Sequence, residues 1–349
     1  MHRQPIELQT LYAELVEQLA ALEAQRAIGH LPGSFVTKTI KGQSYYYFQH
    51  LEPGGAKRQL YIGRRDAVLD AVVAKFTQAR ADSASDAESV RRLVTLLRAG
   101  GALTTDAASA RVLEALADAG VFSQGGVLVG THAFIALGNV LGVSWQGGAL
   151  RTQDVDLAAQ LRLDVAVSSG PTDVPGVLEN LMMGFLPVPG LDPTSPSTSF
   201  KVRGQGLRVD LLTPAHGDES APVSIPRLKA AAQPLKFLDY LLESPVRAAA
   251  VGGGGILINV PDPARFALHK LIVSTERSAT AAAKREKDIT QAAQLLDVLA
   301  EDRLGDIEVA WAALAERGPG WRKRVERSLP ALERLKPDVA RRLEALVTR

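Results

Sequence analysis

The sequence predicts an α+β fold whose core is a mixed sheet with flanking helices. Three short segments, 127–129, 152–157 and 207–213, have the length and the apolar or alternating pattern of strands. Longer segments before and after them carry apolar residues at spacings of three and four, which is typical of helices. The predicted order is an N-terminal helix with a basic, aromatic β-hairpin (1–66), a helical connection (67–118), the mixed-sheet core (119–262) and a C-terminal helical domain (263–349).

Composition limits the function classes. The chain has 349 residues, 46% of them hydrophobic, and a formal net charge of +2, so it can build a large core and any basic surface must be local. It has no cysteine, which excludes disulfides, thiolate zinc sites and cysteine nucleophiles. The first residues lack the apolar segment of a signal peptide, and no apolar run approaches the roughly 18 residues of a membrane helix. We therefore expect a cytoplasmic protein without membrane contact.

Two helical parts are predicted before the core. Residues 6–28 carry leucines at spacings of three and four, so they predict an amphipathic helix. That helix would pack on the body of the protein or on a second subunit, which leaves a homodimer open. Residues 66–118 are rich in Ala, Leu and Arg and predict further helices, with a polar break at 81–87.

Between these helices, residues 34–62 predict the strands of a hairpin with a turn at 53–55. Cations and aromatic rings alternate along it, and both are ingredients of a platform for single-stranded RNA. The alternative is that half of the rings face the core and the lysines are solvated. The candidate RNA contacts are Lys38, Lys41, Tyr45, Tyr47, Lys57 and Arg58.

Residues 127–141 predict a strand, a turn and a helix in close succession. The apolar run 127–129 is a candidate buried strand, Gly130 and Thr131 break its pattern, and helical spacing begins at His132. Thr131 is the predicted N-cap. Free backbone N–H groups and the positive end of the helix dipole would then point at one spot, so this corner is a candidate anion site.

Three aspartates on strand-like segments form a candidate metal site. Asp154 and Asp156 are two positions apart, so they would project from one face of a strand, about 6.6 Å apart along it. That spacing suits carboxylates that hold divalent ions about 3.5–4 Å from each other. Asp210 would face the same side if its strand is a neighbour. Two like charges at about 4 Å repel by about 4 kcal/mol at an effective dielectric of about 20, so a cation is expected among them.

The other segments of the core predict supporting structure. The pattern predicts a strand at 161–167, a short helix at 177–183, an irregular loop at 187–200 and an amphipathic helix at 234–242. We interpret His216 as a turn residue. The glycine run 252–255 is interpreted as a flexible turn, because it precedes the strand predicted at 256–260 and lacks the Lys-Ser or Lys-Thr of a phosphate loop.

The turn and the three aspartates together resemble a known family. The order Gly130-Thr131, Asp154-x-Asp156 and a later single Asp210 resembles the DNA polymerase β type of nucleotidyltransferase fold. More narrowly, the chain is similar to a bacterial family of nucleotidyltransferase fold proteins, with which it shares the segments RTQDVDLA, LKFLDYLLE and PARFALHKL. The resemblance covers roughly residues 31–300 and implies a polymerase β-type core.

The resemblance also implies an activity. A protein of this kind would transfer an NMP from an NTP to a hydroxyl acceptor, which would be an RNA 3′ end, a protein or a small molecule. Two Mg²⁺ ions, with Mn²⁺ as an alternative, would be held by Asp154, Asp156 and Asp210, and Asp210 would also help to remove the acceptor proton. The nucleotide phosphates would contact Gly130, Thr131, Arg151, Lys270 and Lys287.

Of two alternatives to this activity, the sequence leaves one open and disfavours the other. A catalytically idle module that binds a nucleotide or RNA, as part of a toxin–antitoxin or phage-defence pair, stays open. A dinucleotide-dependent oxidoreductase fits poorly, because the glycines of residues 125–142 do not match G-x-G-x-x-G and no ribose-binding acid stands where that motif needs it.

Overall fold

The computed structural model of the protein describes residues 1–27, 33–51, 57–145, 154–158, 172–190, 195–204, 206–215, 217 and 220–347. The chain forms two compact units. One comprises Met1–Val16 with Val94–Arg349, and the other is Glu17–Leu93. We call them the large unit and the small unit.

The described residues form the following helices and strands. The helices are α1 (Ile6–Ala27), α2 (Ala67–Ala99), α3 (Ala107–Asp118), α4 (Gly130–Val140), α5 (Val174–Asn180), α6 (Leu238–Leu241), α7 (Pro263–Glu276), α8 (Ala282–Asp302), α9 (Leu304–Ala315), α10 (Pro319–Leu335) and α11 (Pro337–Val347). The strands are β1 (His2–Arg3), β2 (Ser34–Ile40), β3 (Gln43–Leu51), β4 (Lys57–Arg64), β5 (Val127–Val129), β6 (Val143–Ser144), β7 (Asp154–Ala158), β8 (Phe185–Pro187), β9 (Ser199–Val202), β10 (Arg208–Pro214), β11 (Val223–Ile225), β12 (Ala230–Leu235), β13 (Val246–Ala250) and β14 (Ile256–Val260).

The large unit is built on a mixed sheet with strand order β11-β12-β10-β7-β5. Strands β7, β10 and β12 are parallel, whereas β5 and β11 run antiparallel to their neighbours. Strand β9 pairs antiparallel with the first half of β10, and β12 pairs with its second half. The α+β class and the mixed sheet predicted from the sequence are therefore confirmed.

Helix α4 and the C-terminal helices carry much of the core of the large unit. All residues of α4 from Thr131 to Asn139 are buried. The fully buried ring of Phe134 stacks 4.6 Å from the ring of Trp145 and 6.4 Å from that of Phe266 on α7. Tyr240 on α6 is also buried, and its hydroxyl donates to the carbonyl oxygen of Ala310 on α9 at 2.8 Å.

The small unit contains a three-stranded antiparallel sheet, β2-β3-β4, and much of α2. Lys41 and Gly42 form the two-residue turn between β2 and β3, and both have positive φ (49° and 77°), as a type I′ turn requires. The pairing of β3 with β4 shifts between Tyr46 and Tyr47, which leaves Ile62 as one extra residue in β4. The sheet thus has a bulge near its centre.

Several boundaries differ from the sequence prediction. Helix α2 continues through 81–87, because that stretch is polar but contains neither Gly nor Pro to stop a helix. The predicted hairpin is a three-stranded sheet, since the Lys41-Gly42 turn divides its first half. The helix predicted at 234–242 is mostly wrong: residues 230–235 form β12, whose pairing with β10 and β11 overrides the local helical pattern, and only Leu238–Leu241 are helical.

Smaller differences lie around the predicted irregular loop. The short helix begins at Val174 after its cap Asp173 and ends at Asn180, earlier than predicted. Of the predicted irregular loop, the described residues 188–190 and 195–198 are irregular, and β8 and β9 pair at its two ends. The strand predicted at 161–167, as well as Arg151 and His216, lie outside the described residues. Among the helices that the structure does describe, none combines the length and the apolar character needed to cross a bilayer.

Candidate functional site

The strand register brings the candidate acids to one place in the sheet. Asp156 on β7 is the Cα partner of Asp210 on β10, and Asp154 is the partner of Arg208. Positions two apart on a strand, and positions paired between parallel strands, lie on the same face of a sheet. Backbone positions 154, 156, 208 and 210 therefore share one face. Neighbouring strands are about 4.8 Å apart, so three carboxylate residues start from closely spaced backbone positions.

The turn after β5 lies beside the same group. Val129, the last residue of β5, is the Cα partner of Asp156, and helix α4 begins at the next residue, Gly130. Gly130 has φ +71°, which is in the left-handed region that favours glycine. The residue that pairs with Asp156 is thus followed directly by the N-terminus of a helix. The first backbone N–H groups of a helix have no partner within the helix.

The structure corrects the predicted cap of this helix. The N-cap is Val129, in an extended conformation and without a side-chain capping bond, whereas Thr131 is already the second helical residue and is buried. The left-handed Gly130 starts the helix one residue earlier than the pattern indicates. Because no side chain caps this helix, the backbone N–H groups of its first turn are the hydrogen-bond donors at the Gly130-Thr131 turn.

Asp210 has two close neighbours on the sheet. Arg208 donates from Nε to Asp210 Oδ1 at 2.7 Å, and the Ser199 hydroxyl donates to the same oxygen. Arg208 Nε also lies 2.7 Å from Ser199 Oγ. Ser199 is buried and is the Cα partner of Asp210 on β9. The side chain of Asp210 is 22% exposed, so its carboxylate is held by a cation and a hydroxyl but still reaches solvent.

Lys270 on α7 belongs to an ion cluster. Its Nζ donates to Asp288 Oδ1 on α8 at 2.7 Å, and Arg277 Nε donates to Asp288 Oδ2 at 3.1 Å. Only 4% of the Asp288 side chain and 14% of that of Lys270 are exposed. The two helices are therefore joined by a nearly buried carboxylate with two cations. Lys287, the other predicted phosphate contact, is half-buried on α8.

Comparison with known proteins identifies the family. A family model described as "Nucleotidyltransferase" matches residues 107–316, more than half of the chain. The chain belongs to this nucleotidyltransferase family. The matched region contains β5, α4, β7 and β10, and with them all of the positions described above.

One solved structure is also similar to this nucleotidyltransferase. It is an antigenic nucleotidyltransferase-like protein from Paracoccidioides brasiliensis, 13% identical, and the match covers 62% of this chain and 91% of that chain with a TM-score of 0.32. A search of curated proteins gives no match.

The sequence prediction did not include the two residues that contact Asp210, Arg208 and Ser199. Arg208 stands two positions before Asp210 on the same strand, so the period of two was a usable signal for it. Ser199 gave no such signal, because it ends a segment whose prolines predict irregular structure, and only the pairing of β9 with β10 brings it to Asp210.

The donor chemistry of the site suits a hard divalent cation. Carboxylate oxygens are the ligands that Mg²⁺ and Mn²⁺ prefer. The described side chains contain no cluster of three metal-binding residues, and β7, which carries Asp154 and Asp156, is described by its backbone register. Asp210 Oδ1 already accepts from a guanidinium and a hydroxyl, so a metal ion at that oxygen would compete with both groups. Positions 154, 156 and 210 thus carry the residue type that a divalent ion needs, on one face of the sheet.

Proposed function

We propose that this nucleotidyltransferase moves an NMP from an NTP to a hydroxyl acceptor with the help of divalent metal. The observation that carries the proposal is the register of β5, β7 and β10, in which Val129, Asp156 and Asp210 are successive Cα partners. Acids on two strands then stand next to a helix N-terminus. Carboxylates for cations beside N–H groups for phosphates are the two parts that phosphoryl-type transfer needs.

Asp154, Asp156 and Asp210 are the proposed ligands of two Mg²⁺ ions, with Mn²⁺ as the alternative. Bound metal would neutralise phosphate charge and make the acceptor hydroxyl easier to deprotonate. The paired positions favour such an ion, because two carboxylates at about 4 Å would otherwise repel each other by about 4 kcal/mol at an effective dielectric of about 20.

The protein's own groups would orient the reactants. The N–H groups of the Gly130-Thr131 corner, with the Thr131 hydroxyl, would hold the β- and γ-phosphates at the positive end of α4. Arg151, Lys270 and Lys287 are the proposed cations for the remaining phosphate charge. Of these, Lys270 would first have to leave Asp288, to which it donates at 2.7 Å. Its present bond favours a structural role.

The bond changes of the proposed step balance without a covalent enzyme intermediate. The acceptor oxygen attacks the α-phosphorus, the bond from that phosphorus to the oxygen bridging the β-phosphate breaks, and pyrophosphate leaves. The acceptor proton passes to Asp210 and then to water. Among the described residues, the hydrogen bonds to Asp210 all reach Oδ1, so Oδ2 is the proposed proton acceptor.

The test is transfer of label from an NTP with a labelled α-phosphate. The purified chain is incubated with each of the four NTPs and with total RNA, a protein extract or small-molecule alcohols, with Mg²⁺ or with EDTA. Label should enter one acceptor class in Mg²⁺ only, and Asp156→Ala should abolish transfer while circular dichroism stays unchanged. Glu308→Gln, which removes an exposed carboxylate on α9, is the matched control. Full transfer activity of a folded Asp156→Ala protein would contradict the proposed mechanism.

A second candidate is a catalytically idle module that binds a nucleotide or RNA. The observation that favours it is the Arg208–Asp210 pair, because here the chain itself supplies a cation to the acids. In that case the same incubations would give nucleotide or RNA binding without transfer of label, and Mg²⁺ would change neither. Transfer that depends on Asp156 would exclude this candidate.

A further inference from the structure

The sheet of the small unit has two faces with different chemistry. One face holds buried aromatic rings: Tyr46 and Phe48 are 6% and 8% exposed. The ring of Phe76 on α2 lies 5.1 Å from that of Phe35 and 5.9 Å from that of Phe48. This face is the core of the small unit. Aromatic residues on the other face of the sheet are therefore not part of this core.

Three tyrosines lie on that other face. Tyr45 and Tyr47 alternate with the buried residues of β3, and Tyr61 on β4 is the Cα partner of Tyr47. The ring of Tyr61 is 5.5 Å from that of Tyr47 and 6.1 Å from that of Tyr45. Tyr61 is 55% exposed. We call these three residues the tyrosine face.

Cations surround the tyrosine face. Lys38 on β2 is the Cα partner of Tyr45, and its Nζ lies 4.8 Å from the centre of the Tyr47 ring. Arg64 is the Cα partner of Tyr45 on the other side, so two cations flank this tyrosine. Lys41 occupies the adjoining turn, and the exposed Lys57 begins β4.

The charge of this sheet has one sign. Residues 34–51 and 57–64 contain no Asp or Glu, whereas Lys38, Lys41, Lys57, Arg58 and Arg64 are all basic. Arg58 is the Cα partner of His50, whose ring stacks on Phe48, so Arg58 stands on the core side of the sheet. The cations beside the tyrosine face are therefore Lys38, Lys41, Lys57 and Arg64.

We propose that the tyrosine face binds a single-stranded nucleic acid. Bases would stack on the tyrosine rings, and the flanking cations would neutralise the phosphates between them. A single strand is preferred to a duplex because only unpaired bases can expose their faces to rings on the surface of a sheet. This binding goes beyond the proposed transfer reaction and requires neither NTP nor metal.

The test is fluorescence anisotropy of the full chain with short fluorescein-labelled RNA and DNA single strands, in EDTA and without NTP. Tyr47→Ala and Tyr61→Ala should each weaken binding about 5- to 150-fold, the usual effect of losing one stacked base. Tyr61→Phe keeps the ring and should bind like the wild type. Because Tyr61 is largely exposed, its replacement leaves the core intact, which circular dichroism would verify.

A matched pair of lysines tests the electrostatic part. Lys38→Ala should weaken binding and reduce the slope of log K against log salt by about 0.7, the value for one phosphate contact on a single strand. Lys75→Ala removes an exposed lysine of α2 on the core side of the sheet and should change neither quantity.

Several results would overturn the proposal. One is unchanged affinity in both tyrosine-to-alanine variants. Another is an equal loss of affinity in Lys38→Ala and Lys75→Ala, and a third is tighter binding of duplexes than of single strands. Binding to vesicles of anionic lipid that is lost in the same variants, with no binding of RNA or DNA, would assign the face to a membrane surface instead. Because no step involves NTP, failure of the transfer assay leaves this result unaffected.

Discussion

Arg208 Nε lies 2.7 Å from Asp210 Oδ1, so one acid of the proposed metal site already has a cation of the protein beside it. Arg208 is 43% and Asp210 22% exposed in their side chains, and a pair in contact with water contributes only about 0–1 kcal/mol. Such a pair is weak enough for a divalent ion to compete with it.

Arg208→Ala should therefore bind Mg²⁺ more tightly than the wild type, because the ion no longer competes with a guanidinium. In EDTA the variant should lose at most about 1 kcal/mol of stability. The measurement is the free energy of unfolding in a Mg²⁺ titration, where an ion at about 100 times its Kd adds about 2.7 kcal/mol. Arg322→Ala, an exposed arginine on α10, is the control. If Mg²⁺ stabilises none of the three proteins, the idle module is favoured.

Gly130→Ala should destabilise the protein. At φ +71° an alanine takes on the strain of the left-handed conformation, about 1–2 kcal/mol. Gly305→Ala is the matched control, since Gly305 lies in helix α9 with no atom within 4 Å of an added Cβ, and there alanine should be neutral or add up to about 1 kcal/mol. Urea unfolding of the two variants measures both. Equal stability of Gly130→Ala and the wild type would show that the turn tolerates a side chain.

Asp106, the N-cap of α3, should make stability depend on pH. Partial burial raises its pKa, but hydrogen bonds from Ser109 and Ala108 outweigh this and hold the pKa of Asp106 below its usual value. A carboxyl with a depressed pKa contributes stability that is present above its unfolded pKa, near 3.8, and is lost as the pH falls through the folded pKa. The wild type should therefore lose this contribution on acidification.

Two substitutions separate the cap from its charge. Asp106→Asn keeps an oxygen that accepts the capping bonds, so it should remove the pH-dependent part but retain most of the stability at neutral pH. Asp106→Ala should cost about 0.5–2 kcal/mol there. Urea unfolding of all three proteins from about pH 7 to about pH 3 gives the difference curves. Parallel curves for the wild type and Asp106→Asn would contradict the assignment.

Asp288 should be essential for stability, because its carboxylate is 4% exposed and bonds to both Lys270 and Arg277. Asp288→Ala leaves a nearly buried lysine uncompensated and should cost about 3–5 kcal/mol. The double variant Lys270→Met/Asp288→Leu removes both buried charges and should recover much of that loss. If the recovered protein also binds MgATP like the wild type, Lys270 serves the structure and not the phosphates. Loss of MgATP binding in the folded double variant would support a phosphate contact by Lys270.

The residues of the candidate site that the sequence predicts are those that lie in segments with a recognisable strand or turn pattern. Gly130, Asp156 and Asp210 each stand in a short segment whose period or turn chemistry is visible, so their elements were predicted, although the register that joins them depends on strand pairing. Local pattern failed where pairing overrides it. The helix predicted at 234–242 begins with Pro234 and Leu235, but these residues end β12, which pairs with β10 on one side and β11 on the other. Local pattern along α8 likewise does not indicate that Asp288 bonds to Lys270 on the neighbouring helix α7.

Ile62, the extra residue of β4, determines which ring the sheet presents. In a regular ladder continued from Gly63, the residue opposite Tyr47 would be an isoleucine, and Tyr61 would turn toward the phenylalanines beneath the sheet. An aliphatic group in that position offers no π face. The single inserted residue at position 62 therefore places the Tyr61 ring on the same side as Tyr45 and Tyr47.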